Sequence, residues 1–200
     1  DANIFLDTGC ALAWIMQTFK VKSGQRIFHD FNNTAMGWAL PAAIGAASYE
    51  KNKKIICISG DGSFMMNIQE LATIKHLKLK LLIIVINNNG YSMIKQTQDQ
   101  WLNSNYLASS IEGGLGFPNF CEVGNSFGID SLNINSTNYF ETLLRISKGN
   151  IKLPLILDVQ IDQRWRVTPQ VKFGRPNEDP SPLLDRDIFN KEMIIKPIDL

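Results

Sequence analysis

Residues 54–90 read KIICISGDGSFMMNIQELATIKHLKLKLLIIVINNNG, and this stretch says more about the fold than any other part of the chain. Two apolar runs, residues 54–58 and 79–86, flank a segment of helical periodicity at residues 68–77. The order strand, helix, strand predicts a parallel pair in which both strands end at the same edge of a sheet. Gly60-Asp61-Gly62-Ser63 follows the first run and Asn87-Asn88-Asn89-Gly90 follows the second, so both motifs are expected in one crevice.

The two motifs together have the chemistry of a metal-bridged diphosphate site. Asp61 and Asn88 lie 27 positions apart, which is enough for the helix and the returning strand. A carboxylate and an amide oxygen are hard donors that suit a cation of the Mg²⁺ or Ca²⁺ type. The neighbouring glycines let the backbone approach an anion, and the start of the following helix favours phosphate. Taken alone, Asn87-Asn88-Asn89-Gly90 is equally well interpreted as a polar turn.

The same alternation of strand and helix extends along the chain. Further strands are predicted at residues 4–6 and 155–161, with shorter ones near 26–28 and 131–134, and further helices at 39–49, 120–127 and 139–147. The fold class is therefore predicted to be α/β, a parallel sheet covered by helices on both faces. Residues 1–167 are expected to form one domain. Residues 168–200 contain five of the eight prolines and many charges, and are expected to form an extended C-terminal tail packing on the domain.

Composition excludes several classes of partner. A net charge of +1 gives no electrostatic basis for binding nucleic acid or an anionic membrane, and the longest apolar run is too short to cross a bilayer. Three cysteines without metal-ligand spacing predict reduced thiols and a cytoplasmic location. Since the chain opens directly on an apolar strand, we expect it to start within a larger polypeptide.

Two segments resemble enzymes that use thiamine diphosphate (ThDP). GDGS followed by LLIIVI and an Asn-Asn pair is similar to the diphosphate motif of that family. Residues 33–46, NTAMGWALPAAIGA, resemble the TMG-x-x-LPAAIGA stretch of its acetolactate synthase-like members. The resemblance implies a ThDP-binding fold and places Met36 beneath the thiazolium ring, where it bends the coenzyme. It also implies that backbone groups near Thr34 and Met36 hold the pyrimidine; the family usually has Gly where Thr34 stands.

The resemblance also implies roles within the diphosphate motif. Mg²⁺ is coordinated by the Asp61 carboxylate, the Asn88 side-chain oxygen and the Gly90 carbonyl. The remaining expected coenzyme contacts come from residues that flank these ligands in the sequence: Gly60, Gly62, Ser63, Tyr91 and Ser92.

Similarity to this family implies a function for the complete enzyme. ThDP supplies carbanion chemistry for a decarboxylase or carboligase that acts on a 2-keto acid. The catalytic glutamate belongs to a pyrimidine-binding domain of the same or a partner subunit, so this chain is expected to bind ThDP and Mg²⁺ weakly and turn over nothing. FAD is a candidate cofactor of the family's central domain, and a homodimer or homotetramer is implied. The alternatives are a separately encoded ThDP-binding subunit of a two-subunit decarboxylase and a non-catalytic cofactor-binding remnant.

Overall fold

Six strands form one sheet in which every neighbouring pair is parallel. The computed structural model describes residues 1–50, 52–149 and 151–198, so positions 199 and 200 of the predicted tail lie outside the described residues. The strands run in the spatial order β2-β1-β3-β4-β6-β5. Their bounds are β1 (Ala2–Leu6), β2 (Gln25–Phe28), β3 (Lys54–Gly60), β4 (Leu81–Asn87), β5 (Asp130–Ile134) and β6 (Leu155–Gln160).

Helices cover both faces of this sheet, which confirms the predicted fold class. Their bounds are α1 (Cys10–Thr18), α2 (Ala39–Tyr49), α3 (Asp61–Met66), α4 (Leu71–His76), α5 (Ser92–Trp101), α6 (Phe120–Ser126), α7 (Tyr139–Ser147) and α8 (Arg186–Glu192). The helix predicted at residues 68–77 begins as one turn of 3-10 helix, Ile68–Glu70, and continues as α4. None of the helices in the described part of the chain is long and apolar enough to cross a membrane.

Two faces of the sheet bury different apolar clusters. Strands β3 and β4 alternate so that Ile55, Cys57 and Ile83 point towards α2, α3, α4 and α6, where they join the largest cluster. On the other face Ile4 and Ile58 pack against α1, and a third cluster at β5 and β6 packs against α7. Cys57 is thus a core residue, and Cys10, Cys57 and Cys121 are all free thiols.

The order in which the chain adds strands to the sheet reverses between β1 and β3. Strand β2 lies on one side of β1, whereas β3 and all later strands lie on the other side. Helix α1 leaves β1 on one face, whereas α2 enters β3 on the opposite face. Such a switch point opens a crevice beyond the carboxyl ends of the strands, where ligands of open α/β sheets bind. The segments that follow β1, β3 and β4 therefore meet at this edge.

Beyond β6 the chain returns across the sheet edge and makes defined contacts. The Val167 amide donates to Gln96 of α5 at 2.8 Å, and Gln170 pairs with Ser181 in an isolated bridge. Helix α8, which sequence periodicity does not indicate, buries Phe189. Asp179 accepts from Arg175 and Arg186 and is 7% exposed, so charged contacts fix part of this segment.

Candidate functional site

The turns after β3 and β4 meet through the carboxylate of Asp61. Its Oδ2 accepts the amide N–H of Asn88 at 3.0 Å and that of Gly90 at 3.1 Å, and its Oδ1 accepts the N–H of Gly62 at 2.7 Å. Asp61 is 3% exposed. The structure therefore brings together the two halves of the motif, as the strand order requires.

Asn88 contributes an amide oxygen that has no hydrogen-bond partner in the described part of the chain. Its Nδ2 donates to the Ser92 hydroxyl at 2.6 Å, which directs the side chain. Within residues 1–50, 52–149 and 151–198 no donor lies within hydrogen-bond distance of Asn88 Oδ1, although that atom is buried. A buried acceptor without a donor is costly, and an amide oxygen of this kind would suit a cation as a partner.

Burial sets the electrostatics of Asp61. It raises the pKa of this carboxyl group from 3.8 to about 6, against the opposing effect of the backbone N–H groups of Gly90, Gly62 and Asn88. The charged form is thus desolvated and lacks a cationic side chain among its described contacts. A divalent ion beside it would supply the missing positive charge.

Gly62 allows an aromatic side chain to lie against the first turn of α3. A Cβ atom at this position would overlap Cε1 and Cδ1 of Tyr91, so the Tyr91 ring occupies the space that a side chain would need. Phe117 holds that ring by edge-to-face packing at a centroid distance of 6.2 Å. Ser63 is buried beside it in the same turn.

Met36 projects from a tight turn at the other end of the crevice. Its side chain is 42% exposed, whereas Gly37 and Ala39 immediately after it are buried. Thr34 has φ of +49°, a left-handed conformation that β-branched residues avoid. The family resemblance assigns Gly to this position, and Gly would adopt it without strain.

A cavity of about 190 Å³ connects these two ends. Nine of the ten predicted coenzyme-binding residues line it; Thr34, whose backbone was also expected to contribute, does not. The nine are Met36, Gly60, Asp61, Gly62, Ser63, Asn88, Gly90, Tyr91 and Ser92.

The other lining residues are not among the predicted coenzyme contacts. They come from the end of β4, from the beginning of α5, from the connection between β1 and α1, and from α1 itself: Ile86, Met93, Ile94, Thr8, Gly9, Cys10, Ala11 and Trp14. Burial raises the pKa of the Cys10 thiol to about 11, so this group is protonated at neutral pH. The strand-end rule that located Asp61 applies equally to the residues after β1.

The donor set is poor in charged ligands. Nowhere in the described ranges do three or more His, Cys, Asp or Glu residues cluster as a metal site. Asp61 is accompanied only by neutral oxygens, those of the Asn88 side chain and the local backbone. Mg²⁺ commonly binds through one or two carboxylates and completes its shell with water and ligand phosphates, so such a set suits a cation that arrives with a phosphorylated ligand.

Comparison with known families agrees with this geometry. The family described as thiamine pyrophosphate enzyme, C-terminal TPP binding domain, matches residues 7–159. The chain belongs to this family. Its matched region contains the ends of β3 and β4, the residues that follow β1, and every residue that lines the cavity.

Relatives of this ThDP-binding domain are acetolactate synthases. The large subunit of acetolactate synthase from Porphyra purpurea is 37% identical over 179 residues, which cover 88% of this chain and 29% of that protein. The acetolactate synthase of Arthrospira platensis is 34% identical over 180 residues, 90% of this chain and 30% of that protein. Isozyme 2 of Escherichia coli K12 is 32% identical in its large subunit over 179 residues, 90% of this chain and 32% of that protein. The chain spans about three tenths of the length of these relatives.

Proposed function

We propose that this chain binds the diphosphate of ThDP through Mg²⁺ and forms half of the active site of a 2-keto acid decarboxylase or carboligase of the acetolactate synthase type. The observation that carries the proposal is the buried Oδ1 of Asn88, which has no described donor and belongs to the turn whose N–H groups bind Asp61. A cation between Asp61 and Asn88 would satisfy both groups.

Each part of the cavity has a role in this proposal. Asp61, Asn88 and the Gly90 carbonyl would hold Mg²⁺. The Ser63 hydroxyl would donate to a phosphate oxygen, while Gly60, Gly62, Tyr91 and Ser92 shape the adjoining wall. Met36 would support the thiazolium ring, and the backbone near Thr34 and Met36 would contact the pyrimidine. When bound, ThDP supplies the carbanion and electron-sink chemistry; the chain orients it and excludes water from its charged end.

A second domain is needed to complete the proposed active site. Ligand pockets of drug-sized molecules commonly enclose roughly 300–1,000 Å³, whereas this cavity measures about 190 Å³. Among the described residues that line it, none is a glutamate. We infer that a pyrimidine-binding domain, from the same polypeptide or a partner subunit of a homodimer or homotetramer, covers the cavity and supplies the glutamate that activates the coenzyme.

The proposal extends to organisation and location. Residues 1–167 would form the coenzyme-binding domain, residues 168–200 a tail that packs on it, and the assembly would work in the cytoplasm. FAD, if the enzyme uses it, would bind outside this chain.

Calorimetry and an activity assay test the proposal together. Titration of ThDP into the chain should give weak binding heat in the presence of Mg²⁺ and none in EDTA. Pyruvate, as a probe 2-keto acid, should not be consumed by the chain alone. ThDP binding of equal strength with Mg²⁺ and in EDTA would contradict the metal assignment. Turnover by the chain alone at the rates typical of enzymes, roughly 1–10³ s⁻¹, would contradict the need for a second domain.

A further inference from the structure

Asp7 is a buried carboxylate at the carboxyl end of β1, and it faces the Met36 turn. It is 1% exposed. Its Oδ1 accepts the N–H of Gly37 at 3.0 Å and its Oδ2 accepts the N–H of Ala39 at 2.9 Å. A third bond, from the N–H of Thr8 to Oδ1, is local. Asp7 therefore joins β1 to the residues on the far side of Met36 across about thirty positions of sequence.

These hydrogen bonds cap the start of helix α2, although Asp7 is distant from that helix in sequence. Helix α2 starts at Ala39, and the residue before it, Trp38, provides no side-chain cap. The first N–H groups of a helix lack partners within the helix, so Asp7 satisfies a group that would otherwise be buried and unpaired. No Lys or Arg forms an ion pair with Asp7 in the described part of the chain, and its hydrogen-bonded contacts are backbone N–H groups.

Asn67 holds the opposite side of the same peptide segment. Its Nδ2 donates to the Gly37 carbonyl at 2.7 Å. Gly37 has φ of +85°, and a Cβ there would lie 2.5 Å from Asn67 Nδ2 and 2.7 Å from Met66 Cβ. Gly37 is thus held from both sides, which we call the grip on Gly37. Asp7, directly after β1, accepts its N–H, and Asn67, directly after α3, donates to its carbonyl.

The position of the Met36 side chain depends on the grip on Gly37, because this side chain is not packed into the core. With 42% of its surface exposed, it lines the cavity from a turn whose preceding residues are also exposed. The position of its side chain relative to Asp61 and Asn88 is set by the backbone at Gly37. We propose that Asp7 and Asn67 are positioning residues: through Gly37 they hold the Met36 side chain in the place where it would support the thiazolium ring of the coenzyme. This inference rests on the proposed function for its ligand, but its structural half stands on the chain alone.

Two variants and one control test it. Asp7→Asn keeps the shape of the side chain and places an amide N–H₂ against the backbone N–H of either Gly37 or Ala39. Asn67→Ala removes only the grip on the carbonyl. Asn119→Ala is the control, because Asn119 Oδ1 also accepts two backbone N–H groups, at the start of α6, without lining the cavity. Each is compared with the wild-type chain in denaturant unfolding, amide hydrogen exchange, the ¹³C-methyl signal of Met36 and ThDP·Mg²⁺ calorimetry.

Asp7→Asn should speed exchange of the Gly37 and Ala39 amides by about tenfold or more, because a native-state opening that exposes them becomes easier. The Met36 methyl signal should shift or broaden, and the affinity for ThDP·Mg²⁺ should fall about tenfold, the equivalent of roughly 1.4 kcal/mol. Asn67→Ala should produce the same changes with smaller amplitude. Asn119→Ala should lower stability and leave the Met36 signal and the affinity as they are in the wild type.

An unchanged Met36 signal in both Asp7→Asn and Asn67→Ala would overturn the inference, as would a loss of affinity in the control that matches theirs. If Asp7→Asn does not fold, Asn67→Ala decides alone, since Asn67 is only half-buried. Failure of the wild-type chain to bind ThDP with Mg²⁺ would instead reject the proposed function, and the exchange and methyl data would still report on the grip.

Discussion

At one end of the cavity the polar groups come from two short motifs, whereas at the other end the turn of a single exposed side chain is held by two residues from separate parts of the chain. Asp61 binds N–H groups from its own helix start and from the neighbouring turn, and every participant is buried. Met36 is exposed, and the residues that hold its turn, Asp7 and Asn67, are distant in sequence. Under the proposed function, the Asp61 end would bind the diphosphate through charge, and the Met36 end would support the ring through the position of its backbone. We therefore expect substitutions at the Asp61 end to act through charge, and substitutions at the Met36 end to act through the position of the backbone.

The largest effect should come from Asp61→Asn. It preserves size but removes the charge that Mg²⁺ needs, and breaking one side of a buried ionic contact costs on the order of 3–5 kcal/mol. The affinity for ThDP in the presence of Mg²⁺ should fall about a thousandfold. At the weak affinity expected of this chain, calorimetry should record no binding heat. Met36→Leu serves as the control and should retain measurable binding, since a bulky apolar group remains; equal losses in the two variants would erase the contrast between the ends.

The diphosphate end should also respond to pH when no divalent ion is present. Burial raises the pKa of Asp61 from 3.8 to about 6, so between these values the folded chain binds more protons than the unfolded chain. The contribution of Asp61 to the free energy of unfolding is therefore fully present at low pH. As pH rises through about 6, the free energy of unfolding falls by on the order of 3 kcal/mol. The measurement is urea unfolding in EDTA across this range.

Asp61→Asn provides the reference for that experiment, because an amide does not titrate here. The wild-type chain should lose stability relative to Asp61→Asn as pH rises from 4 to 6. A constant difference between the two over this range would show that Asp61 is not desolvated in the folded chain.

At the ring end, Gly37→Ala should lower the free energy of unfolding by about 2–3 kcal/mol. Gly37 has a positive φ, which costs an L-residue roughly 1–2 kcal/mol, and the new methyl group would collide with Asn67 and Met66. Thermal or urea unfolding measures the loss. Gly174→Ala offers a matched control: its φ of +77° is similar, but nothing lies within 4 Å of a Cβ there. A loss no larger than that of the control would show that the collision carries no cost.

The smallest effect should be a gain from Thr34→Gly in the same turn. A non-glycine residue in the left-handed region costs on the order of 1–3 kcal/mol, and the extra freedom of glycine in the unfolded chain offsets roughly 0.5–1 kcal/mol of the relief. We expect a net stabilisation of about 0.5–1 kcal/mol, measured by unfolding. Thr34→Ala should give less, because it removes the branch and keeps the Cβ; destabilisation by Thr34→Gly would mean that the Thr34 side chain makes a contribution larger than its backbone strain.

The comparison also explains what sequence reasoning predicted and what it missed. The apolar runs predicted all six strands, and the six lie in one parallel sheet. Helix α1 was missed because CALAWIMQT is apolar on nearly all sides and shows no periodicity. Helix α8 was missed because it is short and lies in a segment rich in proline and charge.

Within the site the same distinction holds. Asp61 and Asn88 were predicted because each lies in a short polar segment just after an apolar run, and residues at the ends of neighbouring parallel strands must meet. Asp7 also follows a strand directly, so the same rule could have placed it at this edge, but not its bonds to Gly37 and Ala39. Asn67 offered no signal, since its role depends on where α3 ends relative to a turn thirty positions earlier.

The sequence by itself determined the order of the six strands, four of the helices that connect them, the family, and the edge of the sheet at which Asp61 and Asn88 meet. These follow from local periodicity and from motifs whose residues act together over short stretches. Only the tertiary structure decided that Asn88 Oδ1 is buried with no donor among the described residues, that burial raises the pKa of Asp61, and that Asp7 and Asn67, which follow β1 and α3, hold the Met36 turn. Each of these depends on burial or on distances between segments far apart in the chain, and such quantities exist only once the chain is packed.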